Sequence, residues 1–244
     1  MKRIFILFFI AFAFCACGND EALRVGMAPN YYPFNFKDDD GKLSGFDVEL
    51  VNELSKRLNL DVVYKSDLKF DDLSLALLNS EIDMIASSFS ITADRLLFVD
   101  FTKPYYFTKS VYVKRGNDIR IRSKEDLRNK KIGVRKGSLQ EKSIKEQSIA
   151  RIKIVSIEEI DKLFRLLNSK EIDALFIDDS IADAYLGLYK DLEKFHYEED
   201  GSLGYAFAFK KNENEGLIDS INEELENMKK DGIMKALLDK FNLP

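Results

Sequence analysis

Leu77-Leu78-Asn79-Ser80-Glu81-Ile82-Asp83 is nearly repeated in the second half of the chain as Leu166-Leu167-Asn168-Ser169-Lys170-Glu171-Ile172-Asp173. Each copy ends an apolar-periodic helix and turns into a short apolar run, the Asp83–Ala86 and Ala174–Ile177 strands. Working outward from the first copy, Leu23-Arg24-Val25-Gly26-Met27 reads as a strand. A helix follows over Phe46 to Leu58, with Phe46, Leu50, Leu54 and Leu58 recurring every fourth residue and Val51 widening the stripe. Val62 to Tyr64 is a second strand, and Asp71 to Ser80 the helix that carries the repeat. The second copy has the same surroundings: strand Ile132–Val134, helix from Ser138, strand Ile152–Val155, helix from Ser156. A β-α-β-α-β order met twice predicts an α/β protein of two lobes, each a mostly parallel sheet flanked by helices. Ser110-Val111-Tyr112-Val113-Lys114 and Tyr205-Ala206-Phe207-Ala208-Phe209 read as the two crossover strands joining the lobes. The first lobe is expected over 22–110 plus 207–244 and the second over 111–206. Glu215 to Leu243 reads as two amphipathic helices, broken at Asp231-Gly232, that pack back on the first lobe.

The first seventeen residues read as an address rather than as part of either lobe. Lys2 and Arg3 give a basic tip, Ile4 to Phe14 an apolar segment too short to span a bilayer, and Cys15-Ala16-Cys17-Gly18 the small residues of a cleavage site. Residues 1–16 are therefore expected to be a signal peptide. Phe14-Cys15-Ala16-Cys17 resembles a lipoprotein box, with Cys17 the lipid-bearing residue and the membrane reached through that lipid.

Composition excludes several chemistries. Both cysteines lie in this leader and His196 is the one histidine of 244 residues, so a His/Cys metal site, a Cys nucleophile and an internal disulfide in the remaining chain are not expected. His196 itself lies in the charged stretch Glu193 to Asp200 and reads as a surface residue. A formal charge of −5, which becomes more negative once Lys2 and Arg3 leave, argues against nucleic acid as a partner. No cofactor is expected.

The informative polar residues stand where the predicted strands end, the place at which open parallel sheets bind ligands. Ser87-Ser88-Phe89-Ser90-Ile91-Thr92-Ala93-Asp94-Arg95 follows the first-lobe strand, and hydroxyls with one Arg suit a carboxylate. Ser138 and Glu141 form a capping box that leaves backbone N–H groups and the positive end of a helix facing outward, an anion site. Asp178 ends the second-lobe strand and could take an ammonium. An anion site opposite a cation site suits a zwitterion. Taken alone, Arg95 is better read as a surface cation beside the N-capping Thr92, and such capping boxes are common.

At these residues the chain resembles a known family. Gly26 to Phe34, Gly45-Phe46-Asp47-Val48, Ser87 to Arg95 with Phe101-Thr102-Lys103-Pro104-Tyr105, Gly133 to Gln140 and Ile172 to Asp178 look like the polar amino-acid-binding proteins of ABC importers, the bacterial extracellular solute-binding proteins of family 3. The resemblance implies a type II periplasmic-binding-protein fold that is monomeric, exported and lipid-anchored, closing over one amino acid and delivering it to a permease. Carried over by position, Arg95 would hold the α-carboxylate with Ser88, Ser90 and the helix start at Ser138-Leu139, and Asp178 the α-amino group. Tyr31 and Phe70 would flank the ligand's side chain, although a core position is the usual fate of such rings. Ala28 stands where many relatives carry an Asp, and Arg135 where some carry a Lys reaching the ligand's far end. That pair favours a neutral polar or acidic side chain over Lys, Arg or ornithine, unless Asn30, Asp47 or Asp179 reads a cation instead. The readings that compete are a periplasmic enzyme like cyclohexadienyl dehydratase and an amino-acid-sensing surface lipoprotein without transport.

Overall fold

The computed structural model describes residues 22–147, 149, 151–199 and 201–244; Cys17 and the leader lie outside them. Along the first lobe run β1 (Leu23–Gly26), β2 (Asn30–Tyr31), β3 (Asn35–Lys37), β4 (Leu43–Ser44), α1 (Phe46–Leu58), β5 (Val62–Lys65), α2 (Leu73–Leu78), β6 (Met84–Ile85) and β7 (Val99–Phe101). The second holds β8 (Ser110–Arg115), β9 (Lys131–Arg135), α3 (Leu139–Glu146), β10 (Lys153–Ile157), α4 (Ile160–Asn168), β11 (Ala174–Asp178), α5 (Asp179–Leu186) and β12 (Leu192–Glu198). The chain returns through β13 (Ala208–Lys210) to end in α6 (Glu215–Lys230) and α7 (Ile233–Lys240), which pack on α1.

The two large sheets have one plan. Their strand orders are β5-β1-β6-β13-β7 and β10-β9-β11-β8-β12. In each, the first three strands are parallel and the fourth pairs antiparallel with both of its neighbours. The fourth place is taken in each sheet by the first strand after a crossing, β8 on the way out and β13 on the way back. β2, β3 and β4 form a separate small antiparallel sheet.

The repeated segment explains why the plans agree. In the first lobe the Asp83 N–H donates to the Arg24 carbonyl at 2.8 Å, and the Asp83 carboxylate accepts the Arg24 N–H at 2.8 Å. In the second, Asp173 makes the same two bonds with Lys131, at 2.8 and 2.9 Å. The isoleucine before each acid lies on the glycine two residues further along that strand. A Cβ on Gly26 would come within 2.3 Å of Ile82 Cδ1, and one on Gly133 within 2.7 Å of Ile172 Cδ1. A guanidinium covers each helix end, Arg24 donating to the Ser80 carbonyl at 2.7 Å and Arg115 to the Leu167 carbonyl at 2.6 Å. One clamp, made twice, ties the helix end to the edge of the parallel strands.

Some boundaries differ from the sequence reading. Ser110–Lys114 is not a crossover but lies inside the second sheet between β11 and β12, so Ser110 already belongs to that lobe. Its unbroken apolar run has the ordinary cause, burial on both faces. The crossing lies upstream, in Thr102–Lys109, and pairs with the returning segment. The Tyr105 N–H donates to the Tyr205 carbonyl at 2.9 Å and the Tyr205 N–H to the Tyr106 carbonyl at 2.8 Å. Ser156 and Ile157 extend β10, and α4 starts only at Ile160. The charged stretch from Glu193 forms edge strand β12 as far as Glu198, and His196 stands on it beside the Tyr112 ring at 6.0 Å.

The small sheet, α1 and the crossing segment converge on one acid. Asp47, wholly buried in the first turn of α1, accepts from Asn35 Nδ2 at 2.8 Å, Ser88 Oγ at 2.9 Å and Tyr105 OH at 2.9 Å. Burial pushes its carboxyl up, and the three donors pull it partly back.

Asp47→Ala leaves these donors unpaired and is expected to cost at least ~3 kcal/mol of folding stability, measured by urea denaturation; a loss under ~1 kcal/mol contradicts the hub. Burial opposes ionisation of Asp83, but the bonds from the Arg24 side chain and backbone outweigh it and hold the carboxyl below its ordinary range. The native state therefore gains stability from ionised Asp83 above the ordinary carboxylate pKa of about 3.9, and loses it as the pH falls through the lower native value. Asp83→Ala should cost about 1–2 kcal/mol at pH 7, and the gap to the parent should narrow towards pH 3. A gap independent of pH removes ionisation from the explanation.

Candidate functional site

β6 and the loop after it deliver the first charged group. The N–H of Arg95 donates to Thr92 Oγ1 at 3.3 Å, which starts the short turn Arg95–Leu97. The guanidinium then lies 3.8 Å over the Phe89 ring, donates to the Ser90 carbonyl at 2.8 Å, and reaches the Gly137 carbonyl of the other lobe at 3.4 Å. Gly137 has φ +72°, and a Cβ there would stand 2.6 Å from that of Asp71 in the first lobe. The lobes thus meet face to face at the start of α3.

That helix start is capped as the sequence implies. Ser138 Oγ accepts the Glu141 N–H at 3.1 Å, and the Glu141 carboxylate takes the N–H of Gly137, the residue before the cap, at 2.7 Å. The N–H groups of Leu139 and Gln140 have no carbonyl one turn back, so the positive end of α3 stands beside Arg95. Ser90 is buried and holds Arg95 through its carbonyl. Ser88 departs from the expected role, because its hydroxyl is committed to Asp47 and not to the Arg95 side of the cleft.

Asp178, at the end of β11, supplies the opposite charge. The residue is 5% exposed, and its carboxylate accepts from Gln140 Nε2 at 3.0 Å and, across the cleft, from the Tyr31 hydroxyl. Gln140 also donates to Ser110 Oγ at 2.8 Å, so β8, α3 and β11 share one polar chain. Burial, and then the charge of Asp178, push the Tyr31 phenol well above its ordinary value, so it stays a donor.

Tyr31 and Phe70 are both buried, and their rings carry a guanidinium from this chain. Arg135, at the end of β9, places its Cζ 4.4 Å over Tyr31 and 4.0 Å over Phe70. It donates to Asn30 Oδ1 at 2.7 Å and to the Ala28 carbonyl at 3.5 Å, with Glu158 4.0 Å away. Its Nε is buried without a partner. Burial lowers its pKa; burial and then the charge of Arg135 pull Arg95 down to about 10. The charge of Arg135, on the second lobe, thus opposes that of Arg95 on the first.

Of the acids named as alternative readers of a ligand cation, Asp47 is spent on its three donors and Asp179 pairs with Lys194 at 2.6 Å. Asn30 is spent on Arg135. Two residues escaped the sequence reading. Gln140 follows directly on Ser138-Leu139, and its place one step into a helix that faces Asp178 was the available signal. Glu158 accepts the Phe70 N–H at 2.7 Å across the lobes, and it follows a β10 strand that runs further than its apolar residues indicate.

Similarity to known proteins agrees with this geometry. The chain is 38% identical over 259 residues to a probable histidine-binding protein of Campylobacter jejuni, the alignment covering all of both chains. Among solved structures, an ancestral arginine-binding protein bound to arginine is 34% identical, with a TM-score of 0.84 over 90% of this chain and 97% of that one. An ancestral amino acid-binding protein, described as a precursor of cyclohexadienyl dehydratase, is 32% identical, with a TM-score of 0.79 over 90% and 94%. These relatives are named for binding rather than for catalysis. The model of the bacterial extracellular solute-binding proteins, family 3, matches residues 23–244, and the chain belongs to that family.

Proposed function

We propose that this protein is an exported receptor that captures one amino acid between its lobes and delivers it to the permease of an ABC importer. The observation that carries this reading is the meeting of Arg95, from the first lobe, with the α3 start and Asp178, both from the second. Arg95 holds the ligand's α-carboxylate, helped by the backbone around Ser138 and Leu139; Ser90 orients Arg95. Asp178, oriented by Tyr31 and Gln140, holds the α-ammonium. Tyr31 and Phe70 supply the apolar walls. Ser88 acts at one remove, by fixing Asp47 and through it the loop that carries Arg95. A neutral polar or acidic side chain fits best, because Ala28 presents only its backbone carbonyl and Arg135 adds a positive charge. Cys17 anchors the mature protein to the membrane through a lipid, on the outer face or in the periplasm.

An enzyme of the dehydratase kind needs a cleft acid free to give and take a proton. Asp178 accepts from two fixed donors, an arrangement that suits ammonium binding instead.

A thermal-shift screen of the purified protein, stripped of bound ligand, against the twenty amino acids identifies the ligand, since binding at a hundred times Kd adds about 2.7 kcal/mol. With that ligand, titration calorimetry of Arg95→Ala should show Kd raised at least roughly a hundredfold while the protein stays folded by circular dichroism; unchanged affinity removes Arg95 from the carboxylate site. Asp178→Asn should raise Kd roughly ten- to a hundredfold, the worth of one charged hydrogen bond, and an unchanged value places the ammonium elsewhere.

A further inference from the structure

We infer that Arg135 is a tethered guest in the cleft: its guanidinium fills the slot framed by Tyr31 and Phe70, and so excludes ligands with a cationic side chain. The inference rests on the amino-acid-receptor reading above and deepens it. The slot has the chemistry that a guanidinium seeks. It offers two ring faces at 4.4 and 4.0 Å, an amide oxygen at 2.7 Å, a backbone carbonyl at 3.5 Å and a carboxylate at 4.0 Å. The guest comes from the second lobe, while Ala28, Asn30, Tyr31 and Phe70 belong to the first, so the contact also bridges the lobes.

The slot adjoins both ligand anchors. Tyr31 carries Arg135 on its ring and bonds Asp178 through its hydroxyl. Phe70 carries Arg135 on its ring and has the Arg95 Cζ 5.7 Å from its centroid. A side chain leaving a Cα held between Arg95 and Asp178 therefore meets these rings and the guanidinium on them. A second cation there would displace Arg135 from its acceptors or face it in a buried, poorly screened space. An acceptor on the ligand instead reaches a donor: Arg135 Nε is buried and unpartnered. The arginine- and histidine-binding relatives are named for ligands whose side chains can carry positive charge, so a preference for an amide or acidic ligand would set this chain apart from them.

The test compares the parent with Arg135→Ala by calorimetry against L-arginine, L-glutamine, L-glutamate and L-alanine. The parent is expected to bind L-arginine at least tenfold more weakly than its better amide or acidic ligand. In Arg135→Ala, affinity for L-arginine should rise at least tenfold and affinity for L-glutamate should fall, while L-alanine changes less than threefold. Arg135→Gln keeps a bond to Asn30 without the charge and should shift in the same direction; it serves if the alanine variant does not fold. A folded variant that binds L-arginine no better than the parent overturns the inference and leaves the receptor reading intact, provided the parent binds an amino acid. A parent that prefers L-arginine overturns it equally. If neither protein binds any amino acid, the receptor reading fails and the inference with it.

Discussion

Burying charge between two lobes is the constraint around which this protein is arranged. A guanidinium or carboxylate taken from water without partners costs several kcal/mol, so each such group in the cleft must be matched. Asp178 is matched by Tyr31 and Gln140, Arg135 by Asn30, the Ala28 carbonyl and two rings, and Arg95 by the Ser90 carbonyl and the Phe89 ring. These partners lie on β2, in the first turn of α3 or in the loops that follow β1, β5 and β6. Such loops are where parallel sheets leave backbone groups and side chains pointing the same way. Arg95 and Arg135 thus lie among Asp178 and Glu158, and the charge of Arg135 opposes that of Arg95.

The site is mechanically continuous with the links between the lobes. Tyr105 on the outward crossing bonds Asp47; Asp47 bonds Ser88; two residues further on, the Ser90 carbonyl holds Arg95. The return crossing joins the same loop, with the Ile91 N–H on the Gly204 carbonyl at 2.9 Å and the Ala206 N–H on the Phe89 carbonyl at 3.1 Å. These crossings are the covalent connections between the lobes, so a change in the angle between them is taken up here. The loop that carries Arg95 is therefore anchored at the hinge, and the α3 start that meets Arg95 lies on the opposite lobe. Across the mouth, Lys136 pairs with Asp71 at 2.5 Å, Lys142 with Asp94, and the Phe70 N–H with Glu158. The surface pairs add little singly, whereas the buried groups are available only when the lobes meet.

Much of this was legible in the sequence because it is written in local signals. The repeated Leu/Asn/Ser/Glu-Ile-Asp segment marks the same clamp in both lobes. Ser138 and Glu141 mark a helix start, and strand-end polar residues mark the cleft. What escaped is what depends on partners distant in sequence. Ser110–Arg115 has the same apolar run whether it crosses between lobes or lies between β11 and β12, and only its neighbours decide. Ser88 and Ser90 look alike along the chain, yet one hydroxyl is claimed by an acid forty-one residues earlier. Arg135 reads as a cation that reaches towards a ligand; its placement over Tyr31 and Phe70 appears only once both lobes are in position.

The most direct test is a crystal structure of the protein with the amino acid that the thermal-shift screen selects. The account predicts the ligand between the lobes, its α-carboxylate in hydrogen-bond distance of Arg95 and the α3 start, and its α-ammonium on Asp178. A ligand bound outside the cleft, or one whose carboxylate points away from Arg95, would contradict it.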